Sequence, residues 1–193
     1  MKTFEQFLAE SVQQGGFNII YEAGMYALTN DVEQIINALR NAGVEFEVVG
    51  GVAVNAHIYA EHRSRSFVTR DIDILIHRHD LDRAAKATEA SGAEAIHLLF
   101  AGEKSKSTQP LPHPEVHPEE RLLVNIRVPV APLQDLLQMK LSSLRPKDLV
   151  HLEILDEAGL ITPTIELQLP PVLQERLQQA RKIIAENQPD VEG

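Results

Sequence analysis

Apolar residues recur along this chain with two spacings, and the spacing switches at short intervals. Val32, Ile35, Ile36 and Leu39 fall three and four apart, which marks one face of a helix. Asn30 or Asp31 can cap that helix, and Gly43 can stop it. Residues 44–49 then read as a strand, and Gly50-Gly51 turns the chain into a second helical pattern over 52–59. A charged loop at 61–66 leads to a predicted strand over 68–76. Asp80 caps a helix running to about residue 90, where Gly92 ends it. A strand over 94–101, a loop over 104–120 carrying four prolines, and a strand over 122–130 follow.

The last third is helical in pattern. Pro132 opens a helix bearing Leu133, Leu136, Leu137 and Leu141, and Pro146 opens the next, closed by Gly159. Pro170-Pro171 starts a final polar helix to about residue 188. This alternation predicts an α/β (α+β) fold, a mixed sheet flanked by helices with a helical C-terminal segment. The expected organisation is an N-terminal extension over 1–29, an α/β core over 30–131 and the helical segment over 132–193. Within the extension, Phe4, Phe7, Leu8 and Val12 form a short amphipathic leader suited to docking on a partner.

Composition narrows the function classes. The chain has 193 residues, no cysteine and a formal net charge of −10. Disulfides and thiolate metal sites are excluded, and the spacing of His97, His113 and His117 matches no closed zinc pattern. The acidic balance opposes bulk electrostatic binding to nucleic acid. It leaves room for a nucleoside triphosphate held by a local basic set such as Arg63, Arg65 and Arg70, or Lys140 and Lys147. No stretch reaches the roughly 18 apolar residues of a membrane span, and no secretory signal is present, so a cytoplasmic location is expected.

The candidate chemistry centres on Asp71-Ile72-Asp73. In a strand these two carboxylates share one face, about 7 Å apart, while Ile72 and Ile74 face a core. Such a pair can hold one or two Mg²⁺ ions. Gly50-Gly51, some twenty residues upstream, can present backbone N–H groups to phosphates.

Five segments carry a resemblance. They are Val49-Gly50-Gly51-Val52-Ala53-Val54, Thr69-Arg70-Asp71-Ile72-Asp73-Ile74-Leu75, His97-Leu98-Leu99-Phe100-Ala101-Gly102-Glu103-Lys104, Leu136-Leu137-Gln138-Met139-Lys140-Leu141 and Arg145-Pro146-Lys147-Asp148-Leu149-Val150-His151-Leu152. Together they resemble the minimal nucleotidyltransferase superfamily, close to the toxin-like nucleotidyltransferases of bacterial abortive-infection systems. The resemblance spans roughly residues 32–180. It implies a nucleotidyltransferase fold and transfer of a nucleotidyl group from a nucleoside triphosphate to an RNA or protein hydroxyl. A toxin–antitoxin role with an antitoxin-like partner is part of the same implication. By resemblance, Asp71 and Asp73 are the catalytic metal ligands, and Gly50, Gly51, Thr69, Arg70, Lys140 and Lys147 line the triphosphate.

The chain departs from the superfamily at one point. A third carboxylate is expected on a later strand, and His97 stands about where it belongs, with Glu94, Glu103 and Asn125 as substitutes. A second reading is therefore a degenerate module that binds nucleotide or a partner without turnover.

Overall fold

The computed structural model describes residues 19–61, 69, 71–93 and 96–187. The predicted leader, Arg63, Arg65, Arg70 and Glu94 lie outside those residues. Helix α1 spans Ile19–Asn41, β1 Phe46–Val49, α2 Gly50–Glu61, β2 Ile72–Ile76, α3 Leu81–Ser91 and β3 Ile96–Phe100. Strands β4 (Glu119–Leu123) and β5 (Ile126–Val130) come next, followed by helices α4 (Leu133–Ser143), α5 (Pro146–Glu157), α6 (Pro163–Gln168) and α7 (Pro171–Asn187). The strands form one mixed sheet in the order β3-β2-β1-β5-β4. β1 runs antiparallel to β2 and parallel to β5, β2 runs parallel to β3, and β4 is antiparallel to β5. The predicted mixed sheet flanked by helices is the observed architecture.

Burial explains the layers. Val32, Ile35, Ile36 and Leu39 are all buried on the inner face of α1, as their spacing requires. In α2, Val52, Ala53, Val54, Ala56 and Ile58 are fully buried, and a helix apolar on every side belongs inside. His57 fits there because its Nε2–H donates to the Ala131 carbonyl at 2.9 Å. In the C-terminal segment Leu173, Leu177 and Ala180 present one buried stripe of α7 to α4 and α5. Among the described residues no helix is long and apolar enough to cross a membrane.

Three boundaries differ from expectation. Helix α1 begins at Ile19, well before the predicted cap at Asn30 or Asp31. The strand predicted over 122–130 is instead a hairpin, whose first arm reaches back to Glu119 in the predicted loop. Its turn holds Val124 at φ 55. A β-branched residue rarely adopts that conformation, so nothing in the apolar run announces the reversal. Helix α6 was not anticipated; Thr162 caps it by accepting the Ile165 N–H at 3.3 Å.

Candidate active site

The site starts where β1 ends. Pairing of Val49 with Asp73 sets the acid of β2 beside Gly50, the first residue of α2. Gly50 has φ +66, and a Cβ there would lie 1.9 Å from Asp73 Oδ2. Both facts demand glycine. A Cβ on Gly51 would come within 2.7 Å of Thr69 Oγ1. The double glycine thus lets the helix start press directly on the Asp73 carboxylate and on Thr69, uniting four of the sequence candidates.

Asp73 lines a cavity of about 420 Å³. That volume falls in the range of roughly 300–1,000 Å³ common for small-molecule sites. Its side chain is 15% exposed, whereas Asp71, just ahead of the strand, is 41% exposed with Lys147 Nζ 3.8 Å from its Oδ2. Parallel pairing of β2 with β3 puts His97 opposite Asp73, and His97 Nδ1 lies 3.1 Å from Asp73 Oδ1. The imidazole therefore occupies the neighbouring-strand position at which a third acid was expected.

The suggested substitutes are elsewhere. Glu103 gives both carboxylate oxygens to Arg78. Asn125 sits in the hairpin turn ahead of β5, at the end of the sheet away from Gly50. Among the described residues no group of three or more His, Asp or Glu side chains is disposed to hold a metal ion. Two carboxylates still suit Mg²⁺, which takes one or two protein carboxylates and completes its shell with substrate phosphates and water.

Helices α4 and α5 supply a cationic wall. Lys140 is 4% exposed, and its Nζ donates to Asp148 Oδ1 at 3.3 Å. Burial lowers the lysine pKa while the Asp148 charge works against that. Asp148 has no exposure and closes a capping box with Arg145, accepting its backbone N–H at 3.1 Å and its Nε–H at 2.9 Å. It also accepts the Ser143 hydroxyl. Burial alone would raise this carboxyl, yet Arg145, Lys140 and Ser143 outweigh it and hold it down at about 2. Arg176 of α7 reaches the same cavity while its Nε–H donates to the Leu141 carbonyl at 2.5 Å.

A further wall comes from the loop between β3 and β4, through Ser105, Thr108, Gln109 and His113. Sequence reading missed this wall, Arg176 and the burial of Asp148. The loop's signals were its prolines and its histidines, which say nothing of the cavity it faces. Lys106, Lys140, Arg145, Lys147 and Arg176 line the cavity against the two acids Asp73 and Asp148. Such an excess of cations favours a polyanion. Of the sequence candidates, Gly50, Asp73, Lys140 and Lys147 line it directly. Gly51 and Thr69 support it, Asp71 stands at Lys147, and Arg70 lies outside the described residues.

Comparison with known proteins adds three findings. A family described as uncharacterised nucleotidyltransferase matches residues 21–154. No curated protein matches the sequence. The solution structure of the antibiotic-resistance factor ANT(2'')-Ia is similar at 14% identity and a TM-score of 0.45, covering 83% of this chain and 86% of that one.

Proposed function

This chain belongs to the uncharacterised nucleotidyltransferase family, and on that premise we propose that it transfers a nucleotidyl group from a nucleoside triphosphate to a hydroxyl of RNA or protein. The observation that carries the reading is the contact of Gly50 with Asp73 at the edge of a cavity walled by Lys140, Arg145 and Lys147. Phosphoryl-group transfer depends mainly on positioning and on neutralising charge. The start of α2 presents backbone N–H groups beside the acid, and the lysines and arginines face the triphosphate. Arg145, locked by Asp148, contributes a fixed guanidinium, and Lys147 a more exposed ammonium. Asp71 and Asp73 would hold Mg²⁺, which supplies neutralisation of phosphate charge.

The experiment is incubation with each α-labelled triphosphate, Mg²⁺ and total cellular RNA or protein. Incorporation is expected in the native chain and a loss of at least about a hundredfold in Asp73→Asn. The finer reading, a toxin of a toxin–antitoxin pair, adds growth arrest on expression that the same substitution relieves.

His97 beside Asp73 favours a second reading, a module that binds triphosphate without turnover. It requires calorimetric binding of a triphosphate with no incorporation into any acceptor. Incorporation that Asp73→Asn abolishes eliminates it.

A further inference from the structure

The loop between β3 and β4 brings a serine and a histidine to the cavity that Asp73 lines. Ser105 Oγ is 2.7 Å from His113 Nε2. Ser105 is exposed, while His113 is 8% exposed. Burial, with Arg145 nearby, lowers the His113 pKa against the opposing pull of Glu103. The ring is therefore neutral near pH 7, and in its Nδ1–H tautomer Nε2 accepts the Ser105 O–H.

The pair is held in place rather than brought together by chance. The His113 N–H donates to the Glu103 carbonyl at 2.8 Å, and the Gly102 N–H donates to the His113 carbonyl at 3.1 Å. The Gln138 amide of α4 donates to the Pro112 carbonyl at 3.0 Å, tying the loop to the cationic wall. An accessible hydroxyl on a buried neutral imidazole is the arrangement of an activated nucleophile. Here it shares one enclosure with the carboxylate and cations suited to a triphosphate.

We propose that Ser105 is itself a nucleotidyl acceptor, with His113 receiving its proton, so that the chain modifies its own cavity. The proposal rests on the nucleotidyl-transfer reading above. Ser105 Oγ attacks the α-phosphorus of the triphosphate, and a phosphodiester bond forms between them. The bond from that phosphorus to the bridging oxygen breaks, and pyrophosphate departs with the electron pair. The serine proton passes to His113 Nε2 and then to water. Because the attached nucleotide stays in the cavity, modification stops at one nucleotide per chain and blocks entry of the next triphosphate.

The test incubates the full chain with each α-labelled triphosphate and Mg²⁺, with and without total RNA. Intact-mass measurement and peptide mapping then locate the label. The expected result is one nucleotide per chain, on Ser105, formed at a rate independent of chain concentration. Ser105→Ala should remove it with an unchanged melting temperature, and Ser105→Thr should restore part of it. His113→Gln should slow it about a hundredfold or more, the usual range for a lost general base. Label entering RNA or another residue while Ser105 stays bare overturns self-modification and leaves the transfer reading standing. No label in any acceptor, with the triphosphate still bound, overturns both.

Discussion

At the scale of single residues, Gly50 and Glu47 make opposite demands on β1. Gly50→Ala meets two obstacles, a left-handed backbone and an Asp73 oxygen where the methyl must go. The backbone strain alone costs about 1–3 kcal/mol. The collision with Asp73 should cut nucleotide incorporation at least about tenfold, and the strain should lower the melting temperature by several degrees. Gly51→Ala should do less, since its backbone is not left-handed and its methyl meets the Thr69 side chain instead of the Asp73 carboxylate. Glu47 sits in the middle of β1 with no exposure. Its Oε2 accepts the His117 N–H at 2.9 Å, and its Oε1 has no hydrogen-bond partner among the described residues. Burial raises this carboxyl from 4.5 to about 7; the His117 N–H opposes the rise, and Asp135 adds to it. Between those pH values the unfolded chain binds fewer protons than the folded one. Stability therefore falls as pH rises through the window, and the full penalty is present above 7. Glu47→Gln should leave urea unfolding nearly unchanged at pH 4. At pH 8 it should stabilise by on the order of 3 kcal/mol. The glycines could be read from sequence because their neighbours along the chain are informative. Glu47 could not, because one acid in a four-residue strand does not reveal which face is covered.

At the scale of elements, the α4–α5 hairpin is organised by one carboxylate. Asp148 caps α5, fixes Arg145 and neutralises the buried Lys140. Asp148→Ala should cost about 3–5 kcal/mol in chemical denaturation, because it leaves a nearly buried ammonium without its paired carboxylate. Asp148→Asn should cost less, since the amide still accepts at the helix start. The sequence marks Asp148 only as part of a resemblance segment near the start of a helix, because long-range burial leaves no local periodicity. Where apolar spacing was regular, as in α1 from Val32 and in α4, elements emerged directly. Where an apolar run continued through a reversal, as at Val124, one strand was expected and two arms are found. The pairing of Asp73 with His97 belongs to this scale as well. It follows from β2 and β3 lying parallel in register, which their sequences alone do not specify.

At the scale of the whole molecule, a chain of net charge −10 concentrates cations around one hollow. Triphosphate affinity should fall as salt is raised, because charge attraction guides the ligand. Polyanion resins such as heparin should fail to retain the chain at about 0.15 M salt, since the remaining surface is acidic. Retention there would point to a nucleic-acid surface outside the hollow. Gly50 and Asp73 were legible because they lie within about twenty-five positions of each other and meet across adjacent strands. The loop wall and Arg176 were not, because they arrive from distant parts of the chain and only the folded path joins them. Arg176 also changes the standing of α7, which by composition is an ordinary polar closing helix. Its guanidinium grips the C-terminal carbonyls of α4 while lining the hollow, and Leu173 and Leu177 anchor the helix beneath. Anyone shortening this protein to a compact fragment that keeps the hollow should therefore cut beyond residue 187, because a trim at Pro170 would remove a piece of the vessel itself.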